Sequence, residues 1–329
     1  MKTGERHRRK ISLGLSTLLT AAFLSAASYA QTTAPTPPAA SQNESTATGS
    51  DNGLAAAAHL VDQKKYDEAE AGIRAYLRDH DDSAKAHFLL GLTLFLEHKP
   101  KESLAEYTAG AKYETPSAGN LKVVGLDYVL VNDYADAGKW LRASVALNPL
   151  DAEAWYSLGR VEYTLNRFEA SRQAFLKTLT LDPHLVKAQD NLGLALDGLN
   201  RPEDAIAAWH KAIDMQAGAE HPSEQPYLNL GTELVERNQA QDALELLQKA
   251  EAIAPSDAKI QEQLGKAYVQ LNHLDLAAPH LERAVALAPN EGRLHFQLGQ
   301  VYRKLGLADK AKTEFARTEA LNGTKSNNP

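Results

Sequence analysis

A single 34-residue frame recurs eight times between Ser50 and Lys325, starting at Ser50, Ala84, Ala118, Ala152, Val186, Glu224, Ala258 and Gly292 and interrupted only by Glu220 to Ser223. The eighth frame position reads Ala57, Gly91, Gly125, Gly159, Gly193, Gly231, Gly265 and Gly299. A period of this length does not suit one globular core. It calls for small units that bury a face on their neighbours, a stacked array, and this overrides the two domains that length alone would suggest.

Within the frame, positions 4, 7, 8 and 11, such as Gln261, Leu264, Gly265 and Tyr268, fall at helical spacing and give a first helix one mostly apolar or small face. Positions 17, 20, 24 and 27, such as Leu274, Ala277, Leu281 and Ala284, make the matching stripe on a second helix. Glycine in a helix costs about 1 kcal/mol relative to alanine. Seven glycines at one phase therefore need a cause, and close approach of the two helices supplies it. Asn132, Asn166, Asn200, Asn238 and Asn272 at position 15, with Gly306 in the last unit, suit the turn between helices. Pro149, Pro183, Pro255 and Pro289 at position 32 stop the second helix, and Ser256 or Asp257 is placed to cap the next one. The frame predicts an all-α chain of about eight helix-turn-helix units.

The fourth unit carries Trp155, Leu158, Gly159, Phe168, Phe175 and Leu179 and ends at Asp182-Pro183, with Tyr163 one place later than Tyr128, Tyr268 and Tyr302 in their units. This set resembles the tetratricopeptide repeat family. The resemblance implies a right-handed α-α superhelix whose first helices line a concave groove through positions 2, 5, 9, 12 and 13, where peptides or partner helices lie. Mapped onto this chain, that groove takes Phe88, Leu92, Phe95, Leu126 and Val129 from units 2 and 3, and Tyr156, Arg160 and Tyr163 from unit 4. Asp190 and Asp197 follow from unit 5, and Lys266, Arg293, Arg303 and Lys304 from units 7 and 8, with Gln263, Gln270, Gln297 and Gln300 on or beside the same face. Asn191 and Asn229, at position 6, resemble the asparagines of the family's carboxylate clamp, whose paired Lys and Asn are not otherwise evident. One end of the face is thus apolar and the other basic. The apolar run has two readings, a partner site or residues buried by tight curling of units 2 and 3; the basic cluster likewise reads as a partner site or a solvated face.

Departures from the pattern carry their own expectations. Gly53 and Ala56 make unit 1 a loose end, and Gly119 and Asn120 weaken the start of unit 3. The insertion at Glu220 to Ser223 is a candidate bend between five units and three. Lys312 and Glu319 wet the outer face of the last helix, as the end of an array requires.

Residues 1–30 stand outside the frame. Lys2, Arg6, Arg8, Arg9 and Lys10 precede an apolar stretch from Ile11 to Ala27 that closes in Ser28-Tyr29-Ala30, the pattern of a secretory signal cut before Gln31. The rival reading is an uncleaved anchor, because Ile11 to Ala30 is long enough to span a bilayer. Residues 31–49, rich in Thr, Ala, Pro and Ser, read as a flexible spacer, and the chain closes in a polar run from Asn322 to Pro329. The absence of cysteine excludes disulfides and a lipoprotein cysteine. Loss of residues 1–30 would remove five basic residues and Glu5 and move the formal charge from −7 to −11, a poor balance for nucleic acid. The histidines include no pair three or four apart, and His295 reads as a packed core histidine. No phosphate-binding loop or nucleophile-base set is present. These features point to an exported, non-catalytic protein with no cofactor and no small-molecule substrate, whose partner is a protein or peptide, and which meets a membrane only if its signal stays attached.

Overall fold

The computed structural model describes residues 50–326; the signal and spacer assignments lie outside them. The described residues form helix pairs: α1 (Ser50–Asp62) with α2 (Tyr66–Leu77), α3 (Ala84–Leu96) with α4 (Pro100–Gly110), α5 (Ala118–Leu130) with α6 (Tyr134–Leu147), and α7 (Ala152–Thr164) with α8 (Phe168–Leu181). The stack continues with α9 (Val186–Gly198) and α10 (Pro202–Met215), α11 (Gln225–Glu236) and α12 (Ala240–Ile253), α13 (Ala258–Gln270) and α14 (Leu274–Leu287), and α15 (Gly292–Lys304) and α16 (Ala308–Ser326). Seven first helices begin at frame position 1 and α11 one residue later; every second helix begins at position 17.

The boundaries follow from local chemistry. Ser83, Ser117, Asp151 and Asp257 accept hydrogen bonds from the first free amides of α3, α5, α7 and α13, the side-chain capping that helix starts require. Ser117 thereby starts α5 despite Gly119 and Asn120. At the other end of each first helix, position 15 takes the left-handed conformation: the five asparagines have φ between 57° and 62°, and Gly306 has φ 76°. The next amide then reaches back five residues, as in Arg167 N to Glu162 O at 2.8 Å and Leu307 N to Tyr302 O at 2.9 Å, which closes the helix end. Lys64 and His98 occupy the same conformation in units 1 and 2, where side chains less suited to it stand.

The position-8 glycines lie under the position-24 side chain of their own unit: Gly91 under Tyr107, Gly125 under Leu141, Gly159 under Phe175, Gly193 under Trp209, Gly231 under Leu247, Gly265 under Leu281 and Gly299 under Phe315. In unit 1, Ala57 and Ile73 hold the same two positions and are buried in one cluster. Position 20 is small and buried throughout, and two of its serines, Ser103 and Ser171, each donate to the carbonyl of the crossing glycine at 2.8 Å. Gly193→Ala is expected to destabilise the array by about 1–3 kcal/mol through overpacking, outweighing about 1 kcal/mol of gained helix propensity, because the added methyl would fall inside the rigid indole of Trp209. Gly323→Ala, in α16 with nothing within 4 Å of the new atom, should stabilise instead. Urea melts that shift in the same direction for both would remove close approach as the reason for the glycines.

At the insertion, the Gln216 side chain donates to Ser223 O and accepts from Ser223 N, both at 2.8 Å, and Gly218 turns the chain with φ 79°. Leu230 of α11 joins the same core cluster as Leu196 and Trp209, so packing runs unbroken from unit 5 to unit 6. Lys312 and Glu319 are exposed on the last helix. The polar run expected from Asn322 is helical as far as Ser326.

Candidate functional site

The first helices stand side by side, and frame position 5 decides what lies between them. Phe88 is 9 % exposed, Tyr156 8 %, Asp190 6 % and Glu262 1 %. Each is covered by the next first helix. Phe88 and Phe95 pack with Val123 and Val124 of α5; Asn191 Nδ2 approaches Tyr156 Oη at 3.5 Å; Asn229 Nδ2 donates to Asp190 Oδ1 at 2.8 Å. Phe88, Phe95, Tyr156 and Asp190 are therefore joints between units rather than open groove residues. The apolar run of units 2 and 3 is largely closed by stacking, with Leu92, Leu126 and Val129 half-buried at its edge. Asn191 and Asn229 are engaged within the array, Asn191 donating also to Lys187 O at 2.6 Å, and so are not free as a clamp.

Further along, Arg160 and Lys187 lie over the Tyr156 ring, 5.9 and 4.7 Å from its centroid. Burial is the main cause holding the Lys187 ammonium below its ordinary pKa. Tyr163 packs edge-on against Phe168 at 5.4 Å, and Asp197 is half-buried, its carboxyl pushed up by burial and then by Glu236.

The basic end is built on Glu262, whose part the sequence reading missed. Its carboxylate faces Lys266 Nζ at 2.5 Å, Lys259 Nζ at 3.5 Å, Gln297 Nε2 at 3.3 Å and the Arg293 guanidinium. Burial alone would push this carboxyl up; Lys259, Arg293 and Lys266 outweigh burial and hold it down at about 2. Lys259 and Lys266, three residues before and four after Glu262, were the signal available in the sequence. Beside this hub a cleft of about 220 Å³ opens between α13 and α15, over Leu281, with Val269 and Val301 as apolar walls and Lys266, Gln270, Gln297, Gln300 and Lys304 as polar ones. Gln270 is fixed by its bond to Val235 O at 2.8 Å. Gln297 Oε1 is buried without a donor. Lys304 is exposed and makes no ion pair among the described residues, while the Arg303 guanidinium lies 5.9 Å from the Phe315 ring centre.

One other expectation concerns chemistry. His295 is a satisfied core histidine: Nδ1 lies 2.6 Å from Glu314 Oε2 and Nε2 3.0 Å from Pro289 O. Among the described residues no group of three His, Cys, Asp or Glu is placed to hold a metal ion, and no described helix is long and apolar enough to cross a membrane.

The sequence model of the tetratricopeptide repeat matches residues 54–118, 125–185, 191–258 and 262–323. Among curated proteins, the tetratricopeptide repeat-containing protein trd-1 of Caenorhabditis elegans is 26 % identical over 176 residues, 53 % of this chain and 22 % of that protein. The peroxisomal targeting signal receptor of Kluyveromyces lactis is 32 % identical over 78 residues, 24 % of this chain and 14 % of that protein. The chain spans less than a quarter of the length of either relative. Among solved structures, a tetratricopeptide repeat protein from Parabacteroides merdae is similar with a TM-score of 0.59 at 16 % identity, over 77 % of this chain and 98 % of that one. PilW, a type IV pilus biogenesis factor, is similar with a TM-score of 0.56 at 20 % identity, over 62 % and 92 %. At these identities the likeness is one of fold. With four matched segments covering most of the array, paired helices in a 34-residue frame and a small residue at each crossing, the chain belongs to the tetratricopeptide repeat family.

Proposed function

We propose that this chain is an exported, non-catalytic scaffold that holds a protein or peptide partner along its first helices and receives an acidic stretch of that partner at the α13–α15 cleft. The observation that carries this reading is the chemistry of the cleft walls. Lys304 offers an uncommitted positive charge, and Val269 and Val301 offer apolar surface. A relative whose name marks it as a receptor for a targeting signal shares part of the array, which supports a peptide-holding role. Export rests on the basic head, apolar middle and small-residue exit of residues 1–30.

Selection of random peptides displayed on phage tests the cleft. Retained sequences should be enriched in Asp and Glu next to apolar residues. Lys304→Glu should weaken acidic peptides about tenfold, the scale of one rim charge, with unchanged helicity by circular dichroism. Peptides without acidic bias, or equal binding by the variant, would remove the assignment. Mass spectrometry of the same preparation, made in a secreting bacterial host, reads export directly. Gln31 at the mature N-terminus is the expected result; an intact Met1 would favour a membrane-tethered envelope-assembly subunit.

A further inference from the structure

In this array the side chain at position 5 belongs to the joint between one unit and the next, and unit 8 is the last unit among the described residues. Phe296 holds that position in α15 and is 47 % exposed, against 9 % for Phe88 and 8 % for Tyr156. Its ring packs on Phe315, 5.9 Å between centroids, so an aromatic pair stands open at the end of the stack. Around it Arg303, Lys310 and Lys312 are exposed.

The other end has the complementary deficit. Position 7 of a first helix faces back onto the preceding unit, and from unit 2 onward it is Leu90, Val124, Leu158, Leu192, Leu230, Leu264 and Leu298, all buried. In α1 the same position is Ala56, exposed together with its neighbours Asn52, Ala55 and His59. An alanine where every other unit has a larger side chain leaves room for an incoming ring. Charge separates in the same sense: residues 50–83 carry eight acidic and four basic side chains, whereas residues 292–325 carry seven basic and three acidic. The exposed acids at the first end include Asp62, Asp67 and Glu68.

We propose that the two ends dock between copies of this chain, unit 8 of one copy serving as the preceding unit for unit 1 of the next. Phe296 seats over Ala55 and Ala56, and the basic rim of the last unit faces the acidic rim of the first. Such a contact is heterologous and leaves one live end at each extremity, so it builds open chains of copies rather than closed dimers. Lys312 and Glu319 replace the apolar residues that an inner unit would bury there, which makes this joint weaker than an internal one and sensitive to salt.

Sedimentation velocity of the full chain, across the micromolar range and at about 0.05 M and about 0.5 M salt, tests the proposal. At low salt the weight-average mass should rise continuously with concentration, and high salt should weaken association about tenfold. Two variants isolate the ends: Phe296→Glu with Lys312→Glu disables the last unit, and Ala56→Glu disables the first. All three positions are exposed, and unchanged circular dichroism checks the fold. Each variant alone should stay monomeric, while an equimolar mixture should give dimers and nothing larger, because one live first unit then meets one live last unit. A wild-type chain that is monomeric throughout, association that persists in either variant, or a mixture that stays monomeric would overturn it.

Discussion

Glu262→Gln is expected to destabilise units 7 and 8 by about 3–5 kcal/mol, the scale for removing one partner from a buried ionic cluster. The amide keeps the size of the side chain, so the loss isolates charge from packing. In the native array the carboxylate is 1 % exposed and lies within ion-pair distance of Lys259, Lys266 and Arg293. It is ionised far below neutral pH because those cations outweigh its burial. Without it, three positive groups face one another beside a cleft, and Lys259, whose pKa is held down chiefly by its own burial, is the first to give up its proton. Glu245→Gln is the control. Glu245 pairs with Lys249 at 2.8 Å on an exposed helix face, where a pair contributes little, and its loss should leave the urea midpoint unchanged. Hydrogen exchange should localise the Glu262→Gln effect to α13 through α16, since units of a linear array open locally. If the two variants melt alike, the hub is solvated and the cluster does not hold the joint.

The helix boundaries were legible in the sequence because each is written by residues acting within a few positions. Asn132 and its equivalents favour the left-handed turn, Asp151 and Asp257 satisfy free amides, and Pro183 or Pro255 forbids a further turn of helix. The face that meets a partner was less legible, because exposure at positions 5 and 12 depends on the neighbouring unit. Phe88 and Phe296 share a frame position and a side chain, yet one is closed by α5 and the other is open, with no further first helix beside it among the described residues. Glu262 shows the same limit in electrostatic form. Lys259 and Lys266 are neighbours on its own helix, but Arg293 reaches it from 31 residues away, a separation readable as one frame less three only once position 2 is known to meet position 5 of the unit before. Asp190 and Asn229, 39 residues apart because the insertion adds four, follow a related rule linking position 5 to position 6 of the next unit.

Raising the pH from 5 to 8 is expected to weaken the array by several kcal/mol, and Asp127→Asn with Asp190→Asn should abolish most of that loss. The Ser103 hydroxyl has one proton but lies 2.8 Å from Gly91 O and 2.5 Å from Asp127 Oδ2. Ser171 makes the equivalent bond to Gly159 O with no acid nearby. Both contacts of Ser103 are hydrogen bonds only if Asp127 is protonated and donates to the hydroxyl. Burial favours the same neutral form and pushes Asp127 up to about 7, its bond to Ser103 opposing. Asp190, with Asn229 as its side-chain donor, is likewise pushed up to about 7 by burial. In the unfolded chain both titrate near 3.9, so between about pH 4 and 7 the folded state binds more protons and its stability falls as pH rises, by up to about 1.4 kcal/mol per unit for each group. Asp197 and Glu233, also raised chiefly by burial, act in the same direction. The opposite slope begins below about pH 4, where protonation removes the stabilisation of Glu262, held at about 2 by its three cations against burial, and of Glu70, held at about 2 by Lys99 and Arg74. His280, lowered by burial, opposes the acids slightly below its ordinary range, but equally in the parent and the double variant. Urea midpoints taken at intervals between pH 3 and 8 should therefore peak near pH 4 for the parent and flatten above it for the variant. The asparagine amide at 127 can donate to Ser103 as the protonated acid does, so the two proteins should coincide near pH 4 and diverge at pH 8, with the variant more stable; profiles that run parallel across the range would show that neither aspartate is held neutral.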